Sequence, residues 1–196
     1  MKNRKDELMR ATIEIVAKDG LSNFSMRKVT EKIGVSEALI YKYFGTKDQL
    51  LYDCFMVMHK DLAAVFDTYT IPPITSDADF EKACEMLFRT YFEFLIQGKE
   101  RTIYYFEYRD SAYINEITES CSKYRETNCP NLVKIFDTLK SYQSIDESIE
   151  PHYLWTYILD TSGIFAKRVI RGELPDTEYT FSTVWKLISR GIYGKF

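Results

Sequence analysis

The stretch Ser25–Phe44 reads SMRKVTEKIGVSEALIYKYF and decides how the rest of the chain is interpreted. Apolar residues recur at helical spacing on both sides of Gly34, and Ser25 and Ser36 are favoured N-cap residues. The sequence therefore predicts two short helices joined by a three-residue turn that contains glycine. That arrangement is typical of a helix-turn-helix, whose second helix enters the major groove of DNA.

The second of these helices has two distinct faces. Ile40 and Phe44 lie one turn apart and predict an apolar back that packs on the core. The opposite face carries small or polar side chains: Glu37, Ala38, Tyr41 and Lys42. A recognition helix needs an apolar back and a polar front that can enter a major groove. A tyrosine-rich helix face is also typical of packing, so periodicity alone leaves both interpretations open.

Side chains on this second helix match the hydrogen-bonding groups of DNA. Lys42 can donate to guanine or to a phosphate, Glu37 can accept from the cytosine amino group, and Ala38 leaves room beside a thymine methyl. The hydroxyls of Tyr41 and Tyr43 can contact phosphate. Helix starts favour anions, which adds four candidate phosphate contacts: Arg27, Lys28, Thr46 and Lys47. A basic N-terminal arm adds a sequence-independent attraction: Lys2, Arg4 and Lys5.

The remaining sequence predicts an all-α protein of about nine helices, with a three-helix N-terminal domain and a larger helical C-terminal domain. Thr46 and Gln49 have capping-box spacing, which predicts the start of a long helix from Lys47 to Thr70. The apolar and aromatic run Ile103–Tyr108 predicts a short buried helix. A polar loop is predicted over residues 140–150.

Charge is distributed unevenly along the chain. The 196 residues hold 26 basic and 29 acidic side chains, a net charge of −3. Residues 1–50 carry a net +3, whereas residues 51–196 carry a net −6. This asymmetry favours a small domain that contacts phosphate joined to a larger acidic body. We therefore predict a DNA-binding domain over residues 1–48, with its motif at 25–44, and a ligand-binding and dimerisation domain over residues 49–196.

The acidic body holds 26 of the 30 aromatic residues, which favours a ligand cavity lined by rings. Tyrosines suggest a small amphipathic or aromatic ligand, because a buried hydroxyl needs a partner. The candidate lining residues are Phe55, Met58, His59, Phe88, Tyr91, Phe92, Tyr104, Tyr105, Tyr108 and Trp155. For any single ring, core packing is the simpler explanation. Glu107 and Asp110 could attract a cation, although solvation at the surface is favoured.

The last two helices are predicted to begin at Pro151, which suits a first helical turn, and after Asp176, which can serve as an N-cap. The apolar surface of residues 154–170 is broad enough for burial on two sides, which favours a homodimer built as a four-helix bundle. Packing within one chain is the alternative. The candidate interface residues are Trp155, Ser162, Gly163, Phe165, Ala166, Val184, Trp185 and Ile188.

Little in the sequence predicts catalysis or metal binding. The two histidines, His59 and His152, form no H-x-x-x-H motif, and there is no P-loop, G-x-S-x-G or G-x-G-x-x-G. The sequence therefore predicts no enzyme, no metal site and no cofactor.

Four scattered cysteines are typical of thiols in a reducing cytoplasm: Cys54, Cys84, Cys121 and Cys129. No secretion signal precedes them, and no apolar run approaches the roughly 20 residues of a membrane span. We therefore predict a cytoplasmic protein with no membrane partner.

About the first 50 residues resemble the DNA-binding domain of TetR/AcrR-type transcriptional regulators. The matching features, in order, are Asp19-Gly20, Phe24–Val29, Ile33–Ser36, Ile40–Phe44, Lys47 and Leu50-Leu51. The resemblance implies a homodimer that binds a palindromic operator, usually as a repressor, and that a small molecule in the C-terminal domain releases from DNA. A constitutive helix-turn-helix protein without an effector is the alternative.

The family's DNA contacts, carried over by position, fall on Ser36, Glu37, Ala38, Tyr41, Lys42, Tyr43 and Lys47. Two residues depart from the family's pattern. Leu39 replaces a small residue or threonine, and Tyr43 stands where histidine is frequent. These departures bear on the operator sequence rather than on the mode of binding.

Overall fold

A computed structural model describes residues 4–116, 118–128, 130–131, 149 and 151–193 of the chain. These residues form nine α-helices and two short 3-10 turns, and no β-strand occurs among them, so the all-α prediction is confirmed. The helices are α1 (Arg4–Asp19), α2 (Met26–Ile33), α3 (Glu37–Phe44), α4 (Lys47–Thr68), α5 (Asp77–Gly98), α6 (Glu100–Arg109), α7 (Thr118–Asn128), α8 (Pro151–Ile170) and α9 (Glu178–Tyr193). The 3-10 turns are Leu21–Asn23 and Ala112–Glu116.

Most predicted helix boundaries agree with the structure. α4 starts at Lys47 as predicted and ends two residues before Thr70. α6 contains the whole of Ile103–Tyr108, and α8 starts at Pro151. The predicted polar loop over residues 140–150 lies almost wholly outside the described residues.

The N-cap of α9 differs from the prediction by one residue. The hydroxyl of Thr177 accepts a hydrogen bond from the backbone N–H of Thr180 at 3.4 Å. An N-cap side chain reaches the N–H two or three residues ahead of it, and α9 begins at Glu178. Asp176 is therefore one residue too early to be the cap.

The helices are grouped into two compact units. We call Met1–Asp61 with Gly98–Cys121 the N-terminal unit, and Leu62–Gln97 with Ser122–Phe196 the C-terminal unit. The predicted boundary after residue 48 separates a DNA-binding from a ligand-binding role, whereas the two units are separated by their packing. The predicted boundary stays a prediction.

In the N-terminal unit, α6 packs against α1, and α2 contacts both α1 and α3. The buried Tyr104 hydroxyl of α6 donates a hydrogen bond to the backbone carbonyl of Leu51 in α4 at 2.7 Å. Burial raises the pKa of Tyr104 well above its ordinary value, so the hydroxyl keeps its proton. Phe55 completes this core, because its ring stacks on Tyr105 and Tyr108 with centroids 4.8 and 4.9 Å away.

In the C-terminal unit, α8 packs against α9 and aromatic rings join α5 to α9. The Phe88 ring lies 5.4 Å from the rings of Phe181 and Trp185. Arg89 reinforces this joint: its guanidinium forms two hydrogen bonds to Glu178, at 2.8 and 2.6 Å, and lies 3.5 Å from the centre of the Phe181 ring. A bidentate pair over a ring holds the two helices in one register.

Across the described residues, every helix is too short or too polar to span a lipid bilayer.

Candidate nucleic-acid interface

The second and third helices have the predicted helix-turn-helix layout. Gly34 has φ 75° and ψ 43°, a left-handed conformation that glycine adopts without strain. Both Gly34 and Val35 donate their N–H to the carbonyl of Thr30, at 2.8 and 3.2 Å, which ends α2 and turns the chain. The sharp turn then places α3 directly after α2.

The back of α3 is anchored in the core and its front is exposed, as predicted. Ile40 and Phe44 are buried. Their burial fixes the rotation of α3 about its own axis, so five of the remaining positions face solvent and Leu39 is half-buried. The exposed residues of α3 are Glu37, Ala38, Tyr41, Lys42 and Tyr43. The rings of Tyr41 and Tyr43 are 48% and 41% exposed, which is unusual for residues of this size.

The two basic residues at the start of α2 have carboxylate partners within the chain. Arg27 pairs with Glu31 at 2.6 Å, and Lys28 pairs with Asp19 at 2.6 Å. The hydrogen bond from Lys28 lowers the pKa of the Asp19 carboxyl below its ordinary value. Lys28 therefore connects α2 to the end of α1, in addition to any contact it makes with DNA.

Lys42 and Lys47 differ from those two residues. Within the described part of the chain, neither ammonium group forms an ion pair. Lys47 lies over the Phe24 ring, 5.5 Å from its centre, at the first residue of α4. Both ammonium groups are thus available to phosphate. The charge of Lys47 also reinforces the partial positive charge at the N-terminus of α4.

The caps of α3 and α4 are not equivalent. The Thr46 hydroxyl accepts a hydrogen bond from the Gln49 N–H at 3.0 Å, which confirms half of the predicted capping box. The Gln49 side chain does not complete the box: the Thr46 N–H donates to the Phe44 carbonyl at 2.8 Å, and the Gln49 amide donates to Asp53 at 2.6 Å. Ser36 occupies the N-cap position of α3, but its side chain forms no capping hydrogen bond. The Ser36 hydroxyl is exposed and remains available to an outside partner.

The basic arm is used largely within the chain. Arg4 pairs with Glu7 at 2.6 Å, and Lys5 pairs with Asp53 at 2.8 Å. Lys5 also lies 5.1 Å from the centre of the Phe44 ring, at the end of α3. Sequence reasoning treated Lys5 only as a diffuse charge, because its partners are distant in sequence. Lys2 lies outside the described residues.

The predicted ligand-lining residues whose side chains are described are buried and belong to two separate cores. Those in the N-terminal unit are Phe55, Met58, His59, Tyr104, Tyr105 and Tyr108. Those in the C-terminal unit are Phe88, Tyr91 and Phe92. The side chain of Trp155 lies outside the described residues. In both cores the rings contact one another, for example Phe55 with His59 at 5.7 Å and Phe88 with Phe92 at 5.5 Å.

The predicted dimer residues are mostly buried inside their own chain. Those buried in the C-terminal unit are Ser162, Gly163, Ala166, Val184, Trp185 and Ile188, and Phe165 is half-buried. They pack the α8–α9 pair from within.

Other apolar side chains on α8 and α9 face outward. The exposed set is Tyr153, Tyr157, Ile164, Tyr179 and Leu187. Helical spacing alone did not identify them, because it does not show which apolar face of α8 or α9 is covered within the chain.

No group of three or more histidine, cysteine or acidic residues suited to a metal ion occurs among the described residues. Cys54 and Cys121 are buried, and burial raises the pKa of the Cys54 thiol. Cys129 lies outside the described residues.

An exposed polar helix with a buried back, preceded by a glycine turn and followed by a capped helix start, defines a helix-turn-helix DNA-binding domain. Comparison with known proteins agrees with this class. Residues 8–54 match the sequence model of the bacterial regulatory proteins of the TetR family. No curated protein matches the chain.

Solved structures with the same whole-chain fold are TetR regulators from several bacteria. One from Marinobacter aquaeolei VT8 is 20% identical, with a TM-score of 0.73 and 96% of this chain and 94% of that chain covered. A TetR-like regulator from Rhodococcus sp. RHA1 is 17% identical, with a TM-score of 0.66 and 98% and 97% covered. The regulator PfmR from Thermus thermophilus is 13% identical, with a TM-score of 0.63 and 100% and 99% covered.

Residues 8–54 therefore resemble TetR-family regulators in sequence, and the chain shares the fold of solved regulators of that family. Members of this family are generally not enzymes.

The two unlike caps predict different stability effects for one kind of substitution. Thr46→Ala removes the acceptor for the Gln49 N–H and should lower the free energy of unfolding by about 0.5–2 kcal/mol. Ser36→Ala, the matched control, should change it by less than about 0.5 kcal/mol. Equilibrium urea unfolding followed by circular dichroism measures both values. Equal losses for the two variants would contradict the structure's assignment of the caps.

Proposed function

We propose that the protein binds a two-fold symmetric DNA operator as a homodimer, acts as a repressor in the cytoplasm, and leaves the operator when a small molecule binds its body. The observation that carries this proposal is the exposed front of α3, held in place by the buried Ile40 and Phe44. Shape and charge at this front suit a major groove, which is wide enough to admit an α-helix.

Base contacts are proposed for the exposed residues of α3: Glu37, Ala38, Tyr41 and Lys42. Phosphate contacts are proposed for the residues that flank them: Arg27, Lys28, Ser36, Tyr43, Thr46 and Lys47. Lys42 and Lys47 contribute the larger share, because neither ammonium is held by a carboxylate among the described residues. Arg27 and Lys28 contribute less, because each is already paired with a carboxylate at 2.6 Å. That carboxylate either offsets the attraction to phosphate or must be released when phosphate binds.

Two lysine substitutions should separate base reading from phosphate binding. Lys42→Ala should weaken the preferred operator by about 1–3 kcal/mol and relax the preference at one base pair. Lys47→Ala should weaken all sequences alike and lower the salt slope, log K against log salt, by about 1. DNA recovered from a random pool by the purified protein provides the operator, and fluorescence anisotropy at several salt concentrations gives the affinities.

Lys82→Ala is the matched control for these substitutions, because Lys82 is an exposed lysine on α5, in the C-terminal unit, and is not among the proposed contacts. It should leave affinity and salt slope unchanged. If the pool yields no preferred sequence, or if all three variants behave alike, the proposed interface is wrong.

The dimer interface is proposed on the outer face of α8 and α9. Tyr153, Tyr157 and Ile164 are spaced four and seven residues apart and so share one face of α8. Tyr157 reaches across to α9, where its hydroxyl donates to the carbonyl of Leu187 at 3.2 Å. Gly191 permits this approach, because a Cβ at that position would lie 2.6 Å from the Tyr157 hydroxyl oxygen. The interface residues predicted from the sequence are mostly buried beneath this face, where they pack α8 against α9.

The proposed dimer should dissociate when charge is placed on that face. Ile164 and Leu187 are 52% and 49% exposed, so Ile164→Glu and Leu187→Glu should leave the chain fold intact and yield monomers. Met86→Glu is the control, because Met86 is similarly exposed, at 47%, but lies on α5. Sedimentation velocity distinguishes the 23.1 kDa chain from a dimer. A monomeric wild type, or a dimer in both Glu variants, would refute the interface.

An amphipathic or aromatic effector is proposed because tyrosine and phenylalanine dominate the body. Small molecules that bind the folded protein raise its unfolding temperature, and at equal concentration a tighter ligand raises it more. We expect at least one compound of this class to raise that temperature and to release the selected operator. Thermal shift followed by anisotropy with bound DNA measures both effects. Compounds that stabilise the protein without releasing DNA would instead favour constitutive binding.

A further inference from the structure

A cleft of about 450 Å³ lies within the N-terminal unit, beside the start of α4. The 3-10 turn after α1 forms one side, and the end of α6 with the residues after it forms the other. Lys47 also lines the cleft, so the proposed phosphate contact and the cleft share a side chain. The cleft contains neither of the two aromatic cores considered above as ligand sites.

The charged side chains in the cleft have an excess of negative charge. Glu107 and Asp110 line it together with Lys47, which pairs with neither carboxylate. Glu107 is half-buried and forms no ion pair within the described part of the chain. Asp110 has two long contacts, both 3.4 Å, from the Nε and Nη2 of Arg109 to one carboxylate oxygen, and the Arg109 guanidinium lies over the Phe106 ring. Over the ranges that the structure describes, one carboxylate in this cleft therefore has no cation, and the other is weakly paired.

Backbone dipoles add to this negative charge. Glu107 belongs to the last turn of α6, and Asp110 is its C-cap residue. The last carbonyl groups of a helix carry a partial negative charge, which favours cations near its C-terminus. An anionic ligand would meet two carboxylates and a helix C-terminus for a single lysine, so the cleft selects against it.

The other walls are suited to an apolar group. Leu21, Ala112 and Tyr113 are among the residues that line the cleft. Stacking on Tyr108, with centroids 5.6 Å apart, holds the Tyr113 ring in place. A cleft lined by an aromatic ring and two carboxylates is a favourable environment for an organic ammonium ion.

We propose that this cleft is a binding site for a small organic amine, with its ammonium against Glu107 and Asp110 and its apolar part against Leu21 and Tyr113. The sequence alone favoured solvation for these two carboxylates. The structure assigns them a cleft that Lys47 also lines, and the sequence did not indicate this cleft.

Calorimetric titration without DNA tests the site directly. Phenethylammonium chloride at constant ionic strength should bind the wild type saturably, and 2-phenylethanol, its neutral counterpart, should bind at least about tenfold more weakly. Glu107→Gln should weaken amine binding by at least about tenfold, and Glu100→Gln, an exposed glutamate of α6 outside the cleft, should not. Asp110→Asn gives a second test at a more exposed position, where folding is tolerant of substitution.

Three results would overturn the amine site: no saturable binding to the wild type, equal binding by Glu107→Gln and Glu100→Gln, or equal binding of the amine and the alcohol. Circular dichroism of each variant establishes that it is folded.

A consequence for DNA rests on the proposed function. An ammonium ion bound beside Lys47 offsets the charge of the two carboxylates and raises the local positive potential. Saturating amine should therefore strengthen operator binding several-fold. An effector that releases the repressor would weaken it instead. Amine binding without any change in operator affinity would contradict the phosphate contact by Lys47 and leave the amine site standing. Intact operator binding without amine binding would contradict the amine site and leave the phosphate contact by Lys47 standing.

Discussion

The hydrogen bond from the Tyr104 hydroxyl to the Leu51 carbonyl joins α6 to α4, and the N-terminal unit depends on this joint. A helix-turn-helix segment of fewer than 50 residues buries a small fraction of its apolar surface and is only marginally stable by itself. α6 supplies the missing surface, because it packs against α1 and its rings stack on Phe55. Without it, α1 and α4 would lose the support that positions α3. Replacing the hydroxyl would also leave a buried carbonyl without that partner, which is costly.

Electrostatics then divides the basic residues of this unit by role. Lys5 and Lys28 hold helices together through Asp53 and Asp19, whereas Lys42 and Lys47 keep their charge for an outside partner. Exposed ion pairs add little stability, so the apolar core rather than these pairs decides where α3 lies. The net charge of +3 over residues 1–50 does not distinguish the two groups. Only the positions of the carboxylates do.

Local signals predicted local structure well. Gly34 and Thr46 act within a few residues of themselves, and both were assigned correctly. Competition between neighbouring groups was harder to predict: the Gln49 side chain donates to Asp53 instead of accepting from the Thr46 N–H, and Thr177 replaces Asp176 as a cap. In each pair, both partners are chemically suitable. Side-chain geometry in the folded helix selects between them, and the residue types alone do not.

The sequence by itself determined the helices, the glycine turn between α2 and α3, and the two faces of α3, because these follow from periodicity and capping over short distances. Tertiary structure alone decided which rings share a core, which apolar residues of α8 and α9 face outward, and that Glu107 and Asp110 meet Lys47 in one cleft. The physical reason is that burial and charge pairing depend on residues tens of positions apart. Their proximity arises only when α6 packs beside α1 and the start of α4.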